Sequence, residues 1–223
     1  ENRIYDAGNL KLDKRDILKN IEIIKKASRD YFEKKKILIS VGGDCSVKYG
    51  ILSGLNELKK RISVIYIDAH PDLVISKRPY YGSVMADSMK LANVDISKSV
   101  FLGIREIEKK EMNILNSKKV FYLTPQDFKE FPVNKIVDKI KNITAGNRIY
   151  LSIDIDSVDP SAAPAVGCIA PGGFSPAELL LLIDKLRQFN IVGIDITEYI
   201  PKYDTNNITG KLIYRLIYDF MSR

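Results

Sequence analysis

Short apolar runs alternate with amphipathic stretches along the whole chain. Residues 37–41, 63–67, 100–103, 120–123, 149–153 and 191–196 read as strands, the first two as buried ones. Helical periodicity fills the gaps. A helix is expected from Asp13, as its cap, to about residue 34, with Ile17, Leu18, Ile21, Ile24 and Ala27 on one face. Further helices are expected over 46–60, 84–92, 106–115 and 210–221, with short helical pieces opened by Pro125 and Pro132. Ser175-Pro176-Ala177-Glu178 combines a capping serine, a first-turn proline and a capping-box glutamate, opening a helix to about residue 190. Strands alternating with helices predict an α/β fold of three layers, α/β/α, with a central parallel sheet. No linker or repeat divides residues 1–223, so one domain is expected.

The breaks in the pattern carry the chemistry. Residues 1–10 look extended, with a turn at Asp6-Ala7-Gly8-Asn9, and 158–175 form a long loop rich in Pro, Gly and Ala. Asp68-Ala69-His70-Pro71-Asp72 follows the run 63–67, and Asp154-Ile155-Asp156 ends the run 149–153. Open α/β sheets place their sites at such strand ends. The two clusters hold four carboxylates and the only histidine of the chain. Crowded carboxylates repel one another unless a cation neutralises them. In an extended backbone, alternate side chains point the same way, so Asp68, His70 and Asp72 are expected to converge, as are Asp154 and Asp156. A lone Asp-x-Asp is commonly a turn or a helix cap. Two such clusters on two strand ends read as one metal centre. Ligands of this kind suit Mn, Fe, Co or Zn better than Ca, and two ions would use the four carboxylates fully.

Composition narrows the remaining options. The chain has 223 residues, of which 45% are hydrophobic, enough for a sizeable core. The net charge of +7 is spread over pairs such as Lys25-Lys26, Lys59-Lys60 and Lys109-Lys110, which reads as solvated helix faces and not a nucleic-acid surface. No apolar run is long enough for a membrane span, and no signal-peptide pattern is present. Two cysteines, Cys45 and Cys168, are too few for a disulfide framework, so a cytoplasmic location is expected.

Several motifs, in order, resemble the ureohydrolases, the family of arginase and agmatinase. Asp6-Ala7-Gly8-Asn9 is similar to its early Asp-x-Gly-Asp segment, and Gly42-Gly43-Asp44-Cys45-Ser46 to Gly-Gly-Asp-His-Ser. Asp68-Ala69-His70-Pro71-Asp72 and Ser152-Ile153-Asp154-Ile155-Asp156-Ser157-Val158-Asp159-Pro160 resemble its two metal signatures. Pro171-Gly172-Gly173-Phe174-Ser175 and Asp195-Ile196-Thr197-Glu198 resemble its late motifs. The resemblance implies an arginase-like fold and two Mn2+ ions. Asp68 and Asp154 would bridge them, Asp72 would bind one, and His70 and Asp156 the other. A bridging hydroxide would attack the guanidinium carbon while Glu198 holds the guanidinium. The reaction would release urea and an amine from a small guanidino substrate, agmatine or arginine. Family members are often trimers or hexamers, so a homo-oligomer is implied.

Two positions depart from the family pattern. Cys45 stands where the first metal site has a histidine, and a thiolate is a softer, less usual manganese ligand. Tyr81 stands for the proton-shuttling histidine, and a phenol titrating near pH 10 is a poor shuttle at neutrality. Glu106 and Glu108, with Glu111, resemble the acidic loop that meets the substrate's α-amino group; a charged helix start reads the same way. Three functions follow: a metal-dependent ureohydrolase, a weakened homologue that binds one metal or a guanidino ligand with little turnover, and a metal-dependent deacetylase of similar fold.

Overall fold

The computed structural model describes residues 4–58 and 60–222. The first three residues of the expected extended start, and Lys59, lie outside these. Six parallel strands form one sheet in the order β1-β6-β5-β2-β3-β4. They are β1 (Leu38–Val41), β2 (Ile62–Ile67), β3 (Val100–Leu102), β4 (Phe121–Leu123), β5 (Arg148–Asp154) and β6 (Ile191–Thr197). The helices are α1 (Ile17–Glu33), α2 (Ser46–Asn56), α3 (Val84–Ser88), α4 (Lys109–Ser117), α5 (Pro125–Glu130), α6 (Val133–Thr144), α7 (Pro176–Leu186) and α8 (Ile208–Met221). The expected three-layer α/β/α architecture is therefore present.

The period of two along each strand sorts the core into halves. Ile65 and Ile67 of β2, with Leu151 and Ile153 of β5 and Ile194 and Ile196 of β6, pack against α6, α7 and α8. Val64 and Tyr66 of β2, with Tyr150 of β5, face α1 to α4. Both faces of β2 are covered, so every one of its residues is buried, as its unbroken apolar run requires.

Three expectations need correction. Strand β1 is an edge strand, with Val41 50% exposed, because only β6 pairs with it. Helix α1 starts later than Asp13: Asp16 accepts the Lys19 N–H at 3.0 Å as cap, while Asp13 accepts the Arg15 N–H. Helix α3 stops at Ser88. Tighter turns follow and bring the Asn93 carbonyl to the Ile62 N–H at 2.8 Å, which ties this segment to the start of β2. The Ser175 cap of α7 stands as expected, with Glu178 Oε2 accepting the Ser175 N–H in return at 2.8 Å.

Candidate active site

Strand pairing assembles the site. Ile67 of β2 lies beside Ile153 of β5, so Asp68 and Asp154 emerge together at the C-terminal edge of the sheet. The order of the chain reverses across this pair, since β3 and β4 extend to one side and β6 and β1 to the other. Asp154 lies beside Thr197 of β6, with Glu198 next in the chain. The β1–β6 register brings in the loop from Gly42 to Cys45, where the Glu198 N–H donates to the Gly43 carbonyl and the Cys45 N–H to Glu198 Oε1, at 3.0 and 2.9 Å.

The carboxylates converge by turning, not by the extended geometry expected. Asp68 Oδ1 accepts the His70 N–H at 2.8 Å, Asp154 Oδ1 accepts the Asp156 N–H at 2.9 Å, and Asp156 Oδ1 accepts the Ala69 N–H at 3.2 Å. Asp72 and Glu198 both take left-handed backbone conformations, with φ of 50° and 66°. Such backbone strain concentrates at functional sites. The ligand atoms form overlapping groups: Asp68, His70 and Asp156; Cys45, Asp68 and Asp72; Cys45, Asp154 and Glu198.

One residue in the middle of these groups went unread in the sequence. Lys48 is completely buried, and its ammonium lies 3.0 Å from Cys45 Sγ, 3.0 Å from Asp68 Oδ2, 3.2 Å from the Tyr66 hydroxyl and 3.4 Å from Asp154 Oδ2. Burial disfavours its charge, but the Cys45 sulfur and then the carboxylates of Asp68 and Asp154 outweigh that and raise its pKa well above the ordinary lysine value. Burial pushes the Cys45 thiol up, and repulsion from Asp154 adds to this. That agrees with the thiol donating to Asp154 Oδ2 at 2.8 Å. Asp72 and Asp154 are also raised, by burial and then by their acidic neighbours. Burial acts the same way on Asp68, but Lys48 and His70 offset it and lower its pKa. The signal for Lys48 was available: positions 48, 51, 52 and 55 form one helical stripe, and the other three are the buried residues Ile51, Leu52 and Leu55.

The other candidates sit as follows. His70 Nδ1 is 3.0 Å from Asp156 Oδ2 and 3.6 Å from Asp68 Oδ1, and its side chain is 29% exposed. Tyr66 donates to Asp72 Oδ2 at 2.6 Å. Tyr81 is exposed and packs edge-on against Tyr80; among the described contacts it joins none of the carboxylates. Glu106 is exposed. Glu108 caps α4 in a reciprocal pair with Glu111, whose other oxygen accepts the Leu73 N–H at 2.9 Å. The helix-start reading of this acidic stretch is thus realised. Arg105, just before them in the chain and also unread, reaches the loop after β5 and donates to the carbonyls of Asp156 at 2.7 Å, Gly103 at 3.1 Å and Pro171 at 3.2 Å.

These residues fit one metal ion better than two. Asp68, His70 and Asp156 offer two carboxylates and an imidazole, a donor set suited to a divalent transition ion, within 4.8 Å of one another. The volume between Cys45, Asp68 and Asp154 does not suit a second ion, because the Lys48 ammonium lies there.

Comparison with known proteins agrees with this fold. The sequence model of the Arginase family matches residues 1–222. An agmatinase of Neisseria meningitidis serogroup C is 30% identical over 208 residues, covering 93% of this chain and 66% of the relative. An arginase of Plasmodium berghei is 30% identical over 219 residues, covering 85% of this chain and 62% of the relative. The chain thus spans less than two thirds of the length of these relatives. Formimidoylglutamase of Bacillus subtilis superposes with a TM-score of 0.92 at 24% identity, covering 98% of this chain and 71% of that one. No helix among the described residues is long and apolar enough to cross a membrane.

Proposed function

The chain belongs to the arginase family, and from that premise we propose that it is a hydrolase that cleaves a linear guanidino compound, agmatine or arginine, to urea and an amine. The observation that carries this reading is the placement of Glu198. Its carboxylate stands beside the metal-ligand cluster, with Oε1 held by the Cys45 N–H. Gly167 leaves room over Oε2, since even a Cβ there would come no closer than 3.5 Å. Burial raises the Glu198 pKa, a cost that a bound guanidinium would offset.

In this reading Asp68, His70 and Asp156 hold a divalent ion, Mn2+ by family resemblance, which supplies Lewis acidity at the sheet edge. Glu198 orients the guanidinium by charge-assisted hydrogen bonds. Water adds to the guanidinium carbon, the C–N bond to the alkyl amine breaks, and the amine leaves with a proton. The resemblance would give that proton to Tyr81, but Tyr81 is exposed and contacts none of the carboxylates among the described contacts, so no side chain of the site is assigned to it. Glu106 is the acidic group assigned to a substrate amine; Glu108 is committed to the helix. By the same resemblance the protein works as a homo-oligomer, a trimer or hexamer; its two cysteines favour the cytoplasm, and its dispersed lysines disfavour a nucleic-acid partner.

Lys48 favours a second reading, a homologue that binds a guanidino ligand with weakened turnover. Urea release and calorimetric binding of agmatine and arginine, measured on the Mn2+-loaded chain and on Glu198→Gln, separate the two. Hydrolysis predicts urea from the natural chain and roughly a 10- to 100-fold loss in the variant, the worth of one charge-assisted hydrogen-bond pair. Binding without urea selects the second reading. Neither binding nor urea refutes both.

A further inference from the structure

We propose that the Lys48 ammonium is a built-in cation that takes the place of one metal ion, leaving this chain a site for a single ion between Asp68, His70 and Asp156. The inference concerns metal content and stands whether or not urea is released.

Lysine is almost never fully buried unless it is paired. Lys48 occupies the first position of the apolar stripe of α2, where an aliphatic side chain would pack against Ile51 and Leu52. A helical side chain leans back towards the N-terminus, here the end at Ser46, where the helix dipole disfavours a cation. Two costs, burial and dipole, therefore oppose the charge. The anionic end of the sheet offsets both. The three N–H donors of the ammonium are shared among Cys45 Sγ, Asp68 Oδ2, the Tyr66 hydroxyl and the more distant Asp154 Oδ2.

Three of these partners, Cys45, Asp68 and Asp154, belong to the candidate ligand groups on this side of the cluster. A transition ion sits about 2.0–2.3 Å from such ligands. Nζ already lies 3.0 Å from both Cys45 Sγ and Asp68 Oδ2, so an ion bound to both would sit close against a like charge. Asp68 divides the cluster. Its Oδ2 faces Lys48, while its Oδ1 faces His70 on the side that opens to solvent. The ammonium thus neutralises the closed side, and an exchangeable ion serves the open side. Cys45 stays a hydrogen-bonding thiol, not a metal ligand.

The test is cobalt loading of the full chain, with bound Co2+ counted by elemental analysis after dialysis and thiolate-to-cobalt absorption recorded. The natural chain is expected to hold one Co2+ and show no thiolate absorption, and His70→Ala to lose that ion. Lys48→Ala is expected to hold two, with thiolate absorption from Cys45. Two ions or thiolate absorption in the natural chain would overturn the proposal, as would no bound ion, or an ion retained by His70→Ala. Should Lys48→Ala not fold without metal, its recovery on refolding with Co2+ supports the proposal. Folding without any gain of a second ion counts against it.

Discussion

Arg105 joins the active-site edge of the sheet to the long loop that closes over it, and replacing it with alanine tests that connection. Its guanidinium donates to the carbonyls of Asp156 at 2.7 Å, Gly103 at 3.1 Å, Pro171 at 3.2 Å and Ser157 at 3.4 Å, as well as to Ala170. A hydrogen bond to a charged group contributes about 1.5–3 kcal/mol net. The residue is only part-buried, so water replaces some of these contacts in the variant. Counting two bonds at the lower end, Arg105→Ala should cost about 3 kcal/mol. Arg105→Lys offers one point charge in place of a planar fork and should recover less than half of that. Urea denaturation of the metal-free chain measures the difference as a shift in midpoint at constant slope. Limited proteolysis should become faster within residues 158–175. Because Asp156 is clamped through its carbonyl and would ligate the ion of the proposed site through its carboxylate, Co2+ affinity should fall as well. A loss below about 1 kcal/mol, or full rescue by lysine, would refute the clamp, since neither is compatible with several charged bonds.

Three further outcomes are expected. A Cβ on Gly173 would lie 2.6 Å from the backbone of Ser157, Val158 and Asp159. Gly173→Ala should therefore cost about 3 kcal/mol by overpacking, in urea denaturation. Gly172→Ala, with open space but φ of 82°, should cost only about 1–2 kcal/mol through the left-handed backbone. In the metal-free protein, hydrogen bonds that the His70 ring donates to Asp156 and then Asp68 push its pKa from 6.5 up to about 11. A raised folded-state pKa stabilises most below pH 6.5, and that contribution is lost as pH climbs towards about 11. The ring resonances of this sole histidine should show no midpoint between pH 6 and 8 until a divalent ion displaces the proton; a midpoint near 6.5 in the metal-free chain would refute the pairing.

Much of the site was legible in the chain because its signals are local. Apolar runs ending in Asp68 and Asp154 mark strand ends, and the Ser175 capping box marks the start of α7. Glu108 was ambiguous for the same reason: a carboxylate at a helix start can serve the helix or a ligand, and only the backbone geometry showed that it caps α4. The convergence of Asp68, His70 and Asp72 was read with the wrong mechanism, since alternation holds only while the chain stays extended and this segment turns after Ile67.

By itself, the sequence determined the alternation of strands and helices, the two carboxylate clusters and the family, because each depends on residues that are near neighbours along the chain. The tertiary structure alone decided which polar groups meet. Cys45 bonds with Asp154 across 109 positions, Lys48 with Asp68 across 20, and Arg105 with the Asp156 carbonyl across 51. Those pairings follow from the order β1-β6-β5-β2-β3-β4, which sets β5 beside the distant β2 as well as beside its successor β6, and from the packing of α2 against the face of the sheet that carries Val64 and Tyr66. Periodicity states that a face is buried. It is silent on what charge waits there, and burying Lys48 is stable only because the sheet edge opposite it is anionic.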